Sequence, residues 1–507
     1  MSSEVVQTEQ RKANLEAITR LGFAAYPNKF DTTHAVSELV DGYTQTAAEA
    51  LENPKIETAA AGRIVGIRSF GKAAFLVLSD GRSRLQVYVR QDAVSERDYQ
   101  LLQLLDVGDQ VGVSGHLFRT KTNELSIWAA KLEFLAKCFL PLPEKWHGLQ
   151  DVEIRYRQRY LDLIVNPDVR RVFEIRTRAV AAVRDFLTAS GFLEVETPMM
   201  QPIAGGALAR PFVTHHNTLD MKLYLRIAPE LYLKRLTVGG VERVFEINRN
   251  FRNEGISTQH NPEFTMLEFY WAYVDYQRLM TFTEELLTTV AQKVVGTTEL
   301  AFGEHRISLA APFRRLSLRH AAAEKASEKL GATVTVDDLR QLEPARAVAK
   351  RLGVDAPKGA GAGKIASNIF EALWEKDLIQ PTFVHDFPTE VSPLSKQRPD
   401  DPDTVERFEL YIGGFEVANA FSELNDPVEQ RRRFEAQLAD KAAGDQEAHA
   451  MDEDYVRALE YGMPPAGGEG IGIDRLVMLL SNSQSIRDVI LFPLMRPRAE
   501  EPPKAEA

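Results

Sequence analysis

The sequence predicts an α+β protein, in which a small β-barrel precedes a larger unit built on an antiparallel sheet. Three observations predict this fold. Five short runs of β-forming residues, separated by turns, lie between residues 56 and 137. Alternating polar and apolar segments that resemble hairpins recur between residues 242 and 423. The length of 507 residues exceeds one ordinary domain and fits roughly three units of ~150 residues.

Composition and charge exclude several classes of protein. Hydrophobic residues make up 44% of the chain and charged residues 26%, which is typical of a globular protein with a large core. No run approaches the ~18 apolar residues that span a bilayer, and the polar N-terminus lacks a signal peptide's apolar segment. The net charge of −11 argues against a protein that coats nucleic acid non-specifically. Cys138 is the single cysteine and cannot form an internal disulfide, so we expect a cytoplasmic protein without a membrane partner.

The first part of the chain predicts helices and then the barrel. Residues 1–55 are predicted as a helical extension, because apolar residues recur at helical spacing within residues 8–24. Residues 56–140 are predicted as the barrel, with a helical stretch over residues 91–105 between its third and fourth strands. This order favours an OB-type barrel, with a generic small β-barrel as the alternative. The five predicted strands are Arg63–Ile67, Ala74–Leu78, Leu85–Val89, Gln110–Val113 and Leu125–Trp128.

The second part begins after a proline-rich boundary at Leu140–Pro143. Residues 141–168 are predicted as a hinge, and its basic, aromatic segment Arg155–Tyr160 fits a solvated connector better than a phosphate contact. Residues 169–497 are predicted as the large α+β unit. Residues 498–507 are rich in Pro, Glu and Ala, which predicts a disordered tail.

A glycine-rich segment at residues 359–365 resembles a phosphate-binding loop. That loop requires a glycine where this chain has Lys358, and a Ser or Thr where it has Ile365. The segment is therefore predicted as a flexible loop between helices.

Polar residues are concentrated in a predicted hairpin between residues 242 and 273. Its first strand is predicted over residues 242–252 and its second over residues 264–270. Burying unpartnered polar groups costs about 1–3 kcal/mol each, so a polar ligand is the simplest explanation for them. The hairpin would present together Arg252, Phe264, Glu268 and Tyr270.

A second hairpin is predicted over residues 409–423, with its turn at Gly413–Gly414. Glu409 and Glu416 lie on either side of the turn, where two carboxylates could hold Mg²⁺ between the protein and a triphosphate. Simple alternation points Glu416 away from Asn419, so either a bulge intervenes or one assignment is wrong.

The third candidate segment is Gly468–Arg475, a glycine run before an apolar helix that starts near Asp474. Glycines let the backbone approach a ligand closely, although a close-packed strand–helix turn would give the same pattern.

These three segments resemble motifs 2 and 3 of the class II aminoacyl-tRNA synthetases, with the metal-binding hairpin between them. Phe251–Glu254 matches the Phe-Arg-x-Glu core of motif 2, and Gly470–Arg475 matches motif 3 with its terminal arginine. Gly191–Pro198 resembles motif 1, the dimer-interface segment. The resemblance covers nearly the whole chain and is to the bacterial type of lysyl-tRNA synthetase. The segments that carry it within the class are Gly205–Ala207, Ala209–Phe212, Arg226–Tyr232 and Phe421–Asp426.

The resemblance implies a nucleotide site at one end of a shared pocket. Arg252 would bridge the amino-acid carboxylate and the α-phosphate, and Arg475 would grip the γ-phosphate and lie against the adenine. Phe264 would stack on the adenine ring, and Glu409 and Glu416 would hold Mg²⁺. The nucleotide site would also be shaped by Glu254, His260 and Asn261.

The amino-acid end is implied by the same resemblance. Glu230 is the candidate for the α-ammonium, and Glu423 and Tyr270 would meet the ε-ammonium. Because lysine has two ammonium groups, its side-chain end should contain carboxylates without cations. Aspartyl and asparaginyl relatives have Gln-Arg where this chain has Ser422-Glu423, so the charge favours lysine. The remaining pocket residues implied are Gly206, Glu268, Asn419 and Phe421.

The barrel resembles the anticodon-binding domain of the same subclass. Phe75 and Gln86 would stack on and hydrogen-bond the central base, and Arg68 and Glu124 would recognise base edges nearby. Phe75 alone would more often be a core residue of the barrel, and Glu124 alone a polar turn residue.

The resemblance therefore predicts a homodimeric lysine–tRNA ligase that uses lysine, ATP, Mg²⁺ and lysine tRNA. Two alternatives stay open. One is a paralogue that attaches a lysine-type group to a protein, although such relatives usually lack the barrel. The other is a non-catalytic tRNA-binding or regulatory protein, which would be expected to lose Arg252, Arg475 or the metal carboxylates.

Overall fold

The computed structural model describes residues 3–143, 149–442 and 451–497. The chain divides into two compact units, Met1–Arg171 and Val172–Ala507. The predicted tail, residues 498–507, lies outside the described residues, and the predicted domain boundaries stay predictions. In the part of the chain that the structure describes, no helix is long and apolar enough to cross a membrane.

The first unit contains six helices and five strands within its described residues. They are α1 (Ser3–Arg20), α2 (Val36–Tyr43), α3 (Ala48–Glu52), β1 (Glu57–Phe70), β2 (Ala73–Ser79), β3 (Arg84–Arg90), α4 (Glu96–Leu104), β4 (Gln110–Arg119), β5 (Leu125–Ala136), α5 (Val152–Arg157) and α6 (Arg159–Val165).

The five strands close into a barrel of order β1-β2-β3-β5-β4. Strict alternation places every second residue inside, as Leu76, Leu78 and Val87 show, so one face of each strand forms the core. The five predicted strands and the helix between the third and fourth are confirmed. The first strand is longer than predicted because a bulge between Ile64 and Gly66 lets it continue around the barrel.

The segment Arg155–Tyr160 is helical, and its interpretation as a solvated connector was wrong. It forms α5 and the start of α6. Tyr156 and Arg159 are buried, and Arg159 Nη1 donates to Asp162 at 2.6 Å. The charge pattern did not distinguish an exposed arginine from one with a buried carboxylate three residues later.

The second unit begins within α7 (Pro167–Ala189) and alternates strands with helices. Its first half contains β6 (Leu193–Glu194), β7 (Met200–Gln201), β8 (Val213–His216), β9 (Met221–Leu225), α8 (Glu230–Val238), β10 (Arg243–Phe251), β11 (Glu263–Ala272), α9 (Tyr276–Val295), β12 (Glu299–Phe302), β13 (His305–Ser308) and β14 (Arg314–Ser317). Its second half contains α10 (Leu318–Leu330), α11 (Val336–Arg340), α12 (Leu342–Leu352), α13 (Ala362–Trp374), β15 (Thr382–Pro388), β16 (Thr404–Ile412), β17 (Phe415–Ser422), α14 (Pro427–Ala442), α15 (Glu453–Glu460), β18 (Ala466–Gly472), α16 (Ile473–Ser481) and α17 (Ile486–Val489).

An eight-stranded sheet of order β14-β15-β16-β17-β18-β11-β10-β6 organises this unit. Its central strands are antiparallel, and both predicted hairpins are confirmed as β10–β11 and β16–β17. The glycine run at residues 468–472 lies in strand β18, which is between the two hairpins in the sheet. This order brings the three candidate segments side by side.

Within the glycine-rich segment, residues 359–361 lie between α12 and α13 as predicted, whereas residues 362–365 form the first turn of α13 instead of a loop. Gly361 precedes the first turn of α13, and the carboxylate of Glu390 accepts hydrogen bonds from the backbone N–H groups of Gly361 and Lys364. The helix N-terminus is thus occupied by a carboxylate of the chain itself, which removes the phosphate-loop interpretation.

Helix α9 packs on the face of the sheet opposite the polar residues and buries a carboxyl group there. Glu469 of β18 is 2% exposed, and both of its oxygens lie within 2.8 Å of Thr283 Oγ1. Thr283 also donates to the carbonyl of Leu279 at 2.8 Å. A hydroxyl has one hydrogen, so both contacts are satisfied when Glu469 carries a proton. Burial raises the pKa of Glu469 to about 8, which agrees with this arrangement.

Glu469→Gln should stabilise the protein increasingly as the pH rises from 5 to 8. Between an unfolded pKa of 4.5 and a folded pKa of about 8, the folded state holds a proton that the unfolded state has lost. The stability of the wild type therefore falls through this window, and the variant avoids a cost of the order of 4 kcal/mol at pH 8. Thermal unfolding midpoints at several pH values measure the difference. Glu285→Gln, on the exposed side of α9, removes the same charge and should show no such trend.

Candidate active site

A cavity of about 370 Å³ lies on the polar face of the sheet, over β11, β16, β17 and β18. It collects nearly all the residues that the sequence nominated for the second unit. Glu423 is the exception; it is buried and lies against Gly468, which lines the cavity. The nominated residues that line the cavity are Gly206, Glu230, Arg252, Glu254, His260, Asn261, Phe264, Glu268, Tyr270, Glu409, Glu416, Asn419, Phe421 and Arg475.

One end of the cavity is cationic. The guanidinium of Arg252 lies 5.1 Å from the centre of the Phe264 ring. Burial lowers the pKa of Arg252, but a guanidinium remains charged at neutral pH. Arg475 Nη1 donates to the backbone carbonyl of Glu416 at 2.6 Å, which fixes the start of α16 against β17.

His260 supports this cationic end without adding charge. Burial and the nearby charge of Arg475 lower the pKa of His260, so the imidazole is neutral at neutral pH. Its Nδ1 lies 2.9 Å from Ser257 Oγ and its Nε2 lies 3.3 Å from Arg475 Nη2. A neutral imidazole that accepts from Arg475 at Nε2 leaves both arginines free to attract an anion.

Asp474 anchors the helix that carries Arg475. Its carboxylate accepts from Arg176 at 2.5 Å and from the backbone N–H of Thr265 at 2.7 Å. Asp474 is 2% exposed, so α7, β11 and α16 meet at one buried ion pair. The position of Arg475 is therefore set by three elements.

The β16–β17 hairpin contains the bulge that the sequence left open. Leu410 pairs with Ala418, but Tyr411 pairs with Glu416, so Val417 is an extra residue in β17. The extra residue returns Glu416 to the face that carries Glu409. The conflict in alternation is thus resolved by the bulge, and both assignments fit one strand pair.

Glu409 and Glu416 are the residues that could hold a cation. Glu409 accepts from Arg407 Nη2 at 2.5 Å and from the hydroxyl of Tyr411 at 2.7 Å. Burial and repulsion by Glu416 raise the pKa of Glu409 to about 7, in spite of Arg407. Among the described residues, no group of three or more His, Cys, Asp or Glu side chains could hold a metal ion. A cation here would need oxygen ligands from a bound phosphate as well.

The other end of the cavity is anionic. Burial and the charge of Glu230 hold the pKa of Glu268 well above its ordinary value. Tyr270 lies beside Glu268, with its hydroxyl 3.4 Å from Glu268 Oε2. Gly206 has a φ of 88°, and a Cβ atom there would approach Glu230 Cβ to 3.0 Å. A side chain at position 206 would therefore be strained and would narrow this end.

The expectation of carboxylates without cations at this end was wrong. Lys234 Nζ lies 2.6 Å from Glu230 Oε1 and also forms an ion pair with Glu423 Oε2. The carboxylates of Glu230 and Glu423 outweigh the effect of burial and raise the pKa of Lys234 above its ordinary value. The chain therefore places a permanent positive charge between two of the predicted substrate carboxylates.

The cavity floor over Glu423 contains a glycine. A Cβ atom at Gly468 would collide with Glu423 Oε1 and with the ring of Tyr270. Because Gly468 has no side chain, Glu423 Oε1 and the Tyr270 ring can both lie against the backbone of β18. Glycine is thus required here for space.

Lys234 and Arg407 are functional candidates that the sequence analysis missed. Lys234 follows Glu230 by one helical turn in an otherwise apolar segment, a spacing that predicts an ion pair. Arg407 precedes Glu409 by two residues in a strand and so shares its face. Its guanidinium also donates to Asn419 Oδ1 at 2.9 Å, which joins two nominated residues.

The barrel carries the nominated residues Arg68, Phe75, Gln86 and Glu124 on its outer surface. Phe75 points outward between the buried residues Ala74 and Leu76, so it does not belong to the barrel interior. Its ring stacks on Tyr88 with centroids 4.8 Å apart. Gln86 lies on the neighbouring strand and accepts from Ser126 Oγ at 2.9 Å. Arg68 pairs with Phe75 across β1 and β2, and Glu124 is exposed before β5.

Comparison with known proteins gives a family for each unit. Residues 151–496 match the family described as tRNA synthetases class II (D, K and N), and residues 59–135 match the OB-fold nucleic acid binding domain. The lysine--tRNA ligase of Carboxydothermus hydrogenoformans is 54% identical over 98% of this chain and 99% of its own length. The lysine--tRNA ligase of Moorella thermoacetica is 54% identical over 97% of this chain and 98% of its own length. The heat-inducible lysine--tRNA ligase of Escherichia coli is 51% identical over 97% and 96%.

The antiparallel sheet, its motifs and the matched family define the second unit as a class II aminoacyl-tRNA synthetase domain. Identity above 50% over nearly the full length narrows this class, and the chain belongs to the lysine--tRNA ligase family. The fold class and the resemblance that the sequence indicated are confirmed.

Proposed function

We propose that the protein activates lysine with ATP to give lysyl-adenylate and pyrophosphate, and then transfers the lysyl group to the 3′ end of lysine tRNA. The observation that carries this proposal is the division of one cavity into an arginine end and a carboxylate end. A zwitterion with an additional ammonium group and a triphosphate match those two ends. A cytoplasmic location follows, because bacterial protein synthesis takes place there.

Positioning and charge stabilisation account for the first step. A carboxylate oxygen of lysine attacks the α-phosphorus of ATP in line, and the bond from the α-phosphorus to the bridging oxygen breaks to release pyrophosphate. Arg252 lines the cavity and would stabilise the charge that develops on the α-phosphate. Arg475 and neutral His260 would hold the distal phosphates. No side chain is required as a covalent nucleophile.

Mg²⁺ would be held by Glu409 and Glu416 together with phosphate oxygens of ATP, where it would neutralise charge on the triphosphate. The two carboxylates lie on one face of the β16–β17 hairpin because of the bulge at Val417. Arg407 forms an ion pair with Glu409 and would hold that carboxylate in position for the cation.

Cation binding with nucleotide should strengthen between pH 6 and pH 8 and then level off. A proton on Glu409, whose pKa is about 7, competes with the cation below that pH. Calorimetric titration with Mg²⁺ and a non-hydrolysable ATP analogue measures the affinity. Glu409→Gln should bind the cation more weakly and with a shallower pH dependence, because glutamine does not titrate. The ionisation of the nucleotide contributes equally to both proteins and cancels in the comparison. An equal slope in the variant would assign the proton to another group.

The barrel would recognise the anticodon of lysine tRNA through Arg68, Phe75, Gln86 and Glu124. The outward placement of Phe75 and Gln86 on adjacent strands supports this role, since this face of an OB barrel binds oligonucleotides. Stacking of one base on one aromatic ring contributes about 1–3 kcal/mol.

Phe75→Ala should leave lysine activation within about twofold of wild type and lower kcat/KM for tRNA by about 5- to 150-fold, the equivalent of one lost stacking contact. Amino-acid-dependent ATP–pyrophosphate exchange and tRNA aminoacylation measure the two half-reactions separately. Phe30→Ala removes an equal ring that packs on Gly112 of β4 and serves as the control. Equal losses in both half-reactions would indicate a folding defect and remove Phe75 from this role.

A homodimer is proposed from the surface around motif 1. Strand β6 lies at the edge of the eight-stranded sheet, and Leu193 within it is 55% exposed. Met199, Met200 and Val213 nearby in the sequence are also about half exposed. Exposed large apolar side chains and an open sheet edge are typical of a subunit interface.

ATP–pyrophosphate exchange without tRNA tests the proposed activity, with lysine, aspartate, asparagine and ornithine compared at equal concentration in the presence of Mg²⁺. Exchange should depend on lysine and be much slower with the other three amino acids. Exchange with aspartate or asparagine would retain the class II reaction and overturn the substrate. No exchange by the folded protein would favour the non-catalytic alternative, although all the arginines and carboxylates it should lack are in the cavity.

A further inference from the structure

Lys234 is a fully buried cation at the edge of the proposed lysine site. Its side chain has no exposed surface, and its ammonium lies between Glu230 of the same helix and Glu423 at the end of β17. The ring of Phe421 lies 5.3 Å away. Neither the family resemblance nor the proposed chemistry gives this residue a role.

The barrel contains a comparable lysine that has no connection with a ligand site. Lys137 is also fully buried, and its Nζ lies 2.6 Å from Asp106 and 2.8 Å from Asp109. A buried lysine between two carboxylates is therefore not evidence of function by itself. The difference lies in the carboxylates, because Glu230 lines the cavity and Glu423 lies against Gly468, which also lines it.

Glu423 has one oxygen engaged and one unengaged. Both oxygens are buried and lack a hydrogen-bond partner among the described residues; Oε2 has the ion pair with Lys234, and Oε1 has no ion pair either. Oε1 lies against Gly468 and the ring of Tyr270, both of which line the cavity. A buried carboxylate oxygen without a donor is costly, so this atom requires a donor from the cavity side.

The charges that face Glu423 come from three elements. Helix α8 contributes Lys234 and Glu230, strand β11 contributes Tyr270, and helix α15 contributes Tyr455. Burial raises the pKa of Glu423 to about 8, Lys234 opposes that rise, and Glu230 adds to it. Lys234 is the one side-chain cation in this set, so removal of its charge would leave Glu423 protonated to a higher pH.

Charge balance also links Lys234 to a substrate with two ammonium groups. The carboxyl groups of Glu230, Glu268 and Glu423 supply three negative charges when all of them are ionised, and Lys234 neutralises one. The remaining two equal the number of ammonium groups in lysine.

We propose that Lys234 is a positioning residue, which keeps the Glu423 carboxylate ionised and leaves its free oxygen directed to the cavity floor for the side-chain ammonium of lysine. This inference rests on the proposed function, because it assumes that lysine is the amino acid bound.

The test compares Lys234→Gln with the wild type in lysine-dependent ATP–pyrophosphate exchange from pH 6.5 to pH 9.5. The variant should raise the KM for lysine about tenfold or more near neutral pH and leave the KM for ATP within about twofold. The pH at which the lysine KM reaches its lowest plateau should move upward by about one unit, which corresponds to that tenfold change. Ionisation of the substrate and of Glu268 is common to both proteins and cancels in the comparison.

Lys137→Gln is the matched control, since it removes an equally buried lysine from two carboxylates. It should lower the unfolding midpoint without moving the lysine profile. A Lys234→Gln profile that is weaker but unshifted would reduce Lys234 to a structural role and overturn the proposal. Absence of lysine-dependent exchange in the wild type would instead overturn the proposed function.

Lys234→Arg carries the test if the glutamine variant does not fold. It retains the charge, so the profile should stay within about 0.3 unit of the wild type. A guanidinium is larger than an ammonium and should push Glu423 towards the cavity, which shortens the site and lowers the preference for lysine over ornithine. An unchanged preference, or an upward shift of the profile, would contradict the proposal.

Discussion

The free-energy penalty for burying an unpaired charge governs how the catalytic unit is built. Its sheet places arginine and carboxylate side chains in buried positions, where each needs a partner of opposite charge. Arg226 Nη1 pairs with Glu246 at 2.7 Å below the cavity, Arg176 pairs with Asp474, and Lys234 pairs with Glu230. Removal of one partner of a buried pair typically costs about 3–5 kcal/mol. These pairs hold the backbone in register, so the same ion pairs that keep the unit folded also aim the groups that face the cavity.

A single extra residue determines the geometry at the nucleotide end. Without the bulge at Val417, strand alternation would turn Glu416 to the opposite face of the sheet from Glu409. Arg475 donates to the carbonyl of Glu416, so the bulge also affects how α16 joins β17. The proposed metal site and the proposed γ-phosphate contact therefore depend on the same local irregularity, and neither would survive a regular hairpin.

Strand periodicity predicted most of the fold, because residues such as Leu76 and Phe75 alternate between the core and the surface with few exceptions. Family resemblance nominated the cavity residues, and the structure collects all of them but Glu423. Neither source predicted the ion pair of Lys234, since it joins a helix to a strand end almost 190 residues later and depends on packing. The interpretation of Arg155–Tyr160 as a solvated connector was wrong for a similar reason. Residue types indicate charge, but only the fold determines whether a carboxylate such as Asp162 lies within reach.

Gly468 also determines how the amino-acid end could change in response to an inhibitor. The space that a side chain at position 468 would need is already filled by Glu423 Oε1 and the Tyr270 ring. An inhibitor whose cation binds Glu423 would be sensitive to one codon change at this position, from glycine to alanine, which would displace the carboxylate without altering any charged residue. The same substitution would crowd Tyr270 and Glu423, which the enzyme needs for its own substrate under the proposed function. A substitution of Gly468 that conferred resistance to such a compound would therefore also lower lysine activation. Resistance at this position is thus disfavoured.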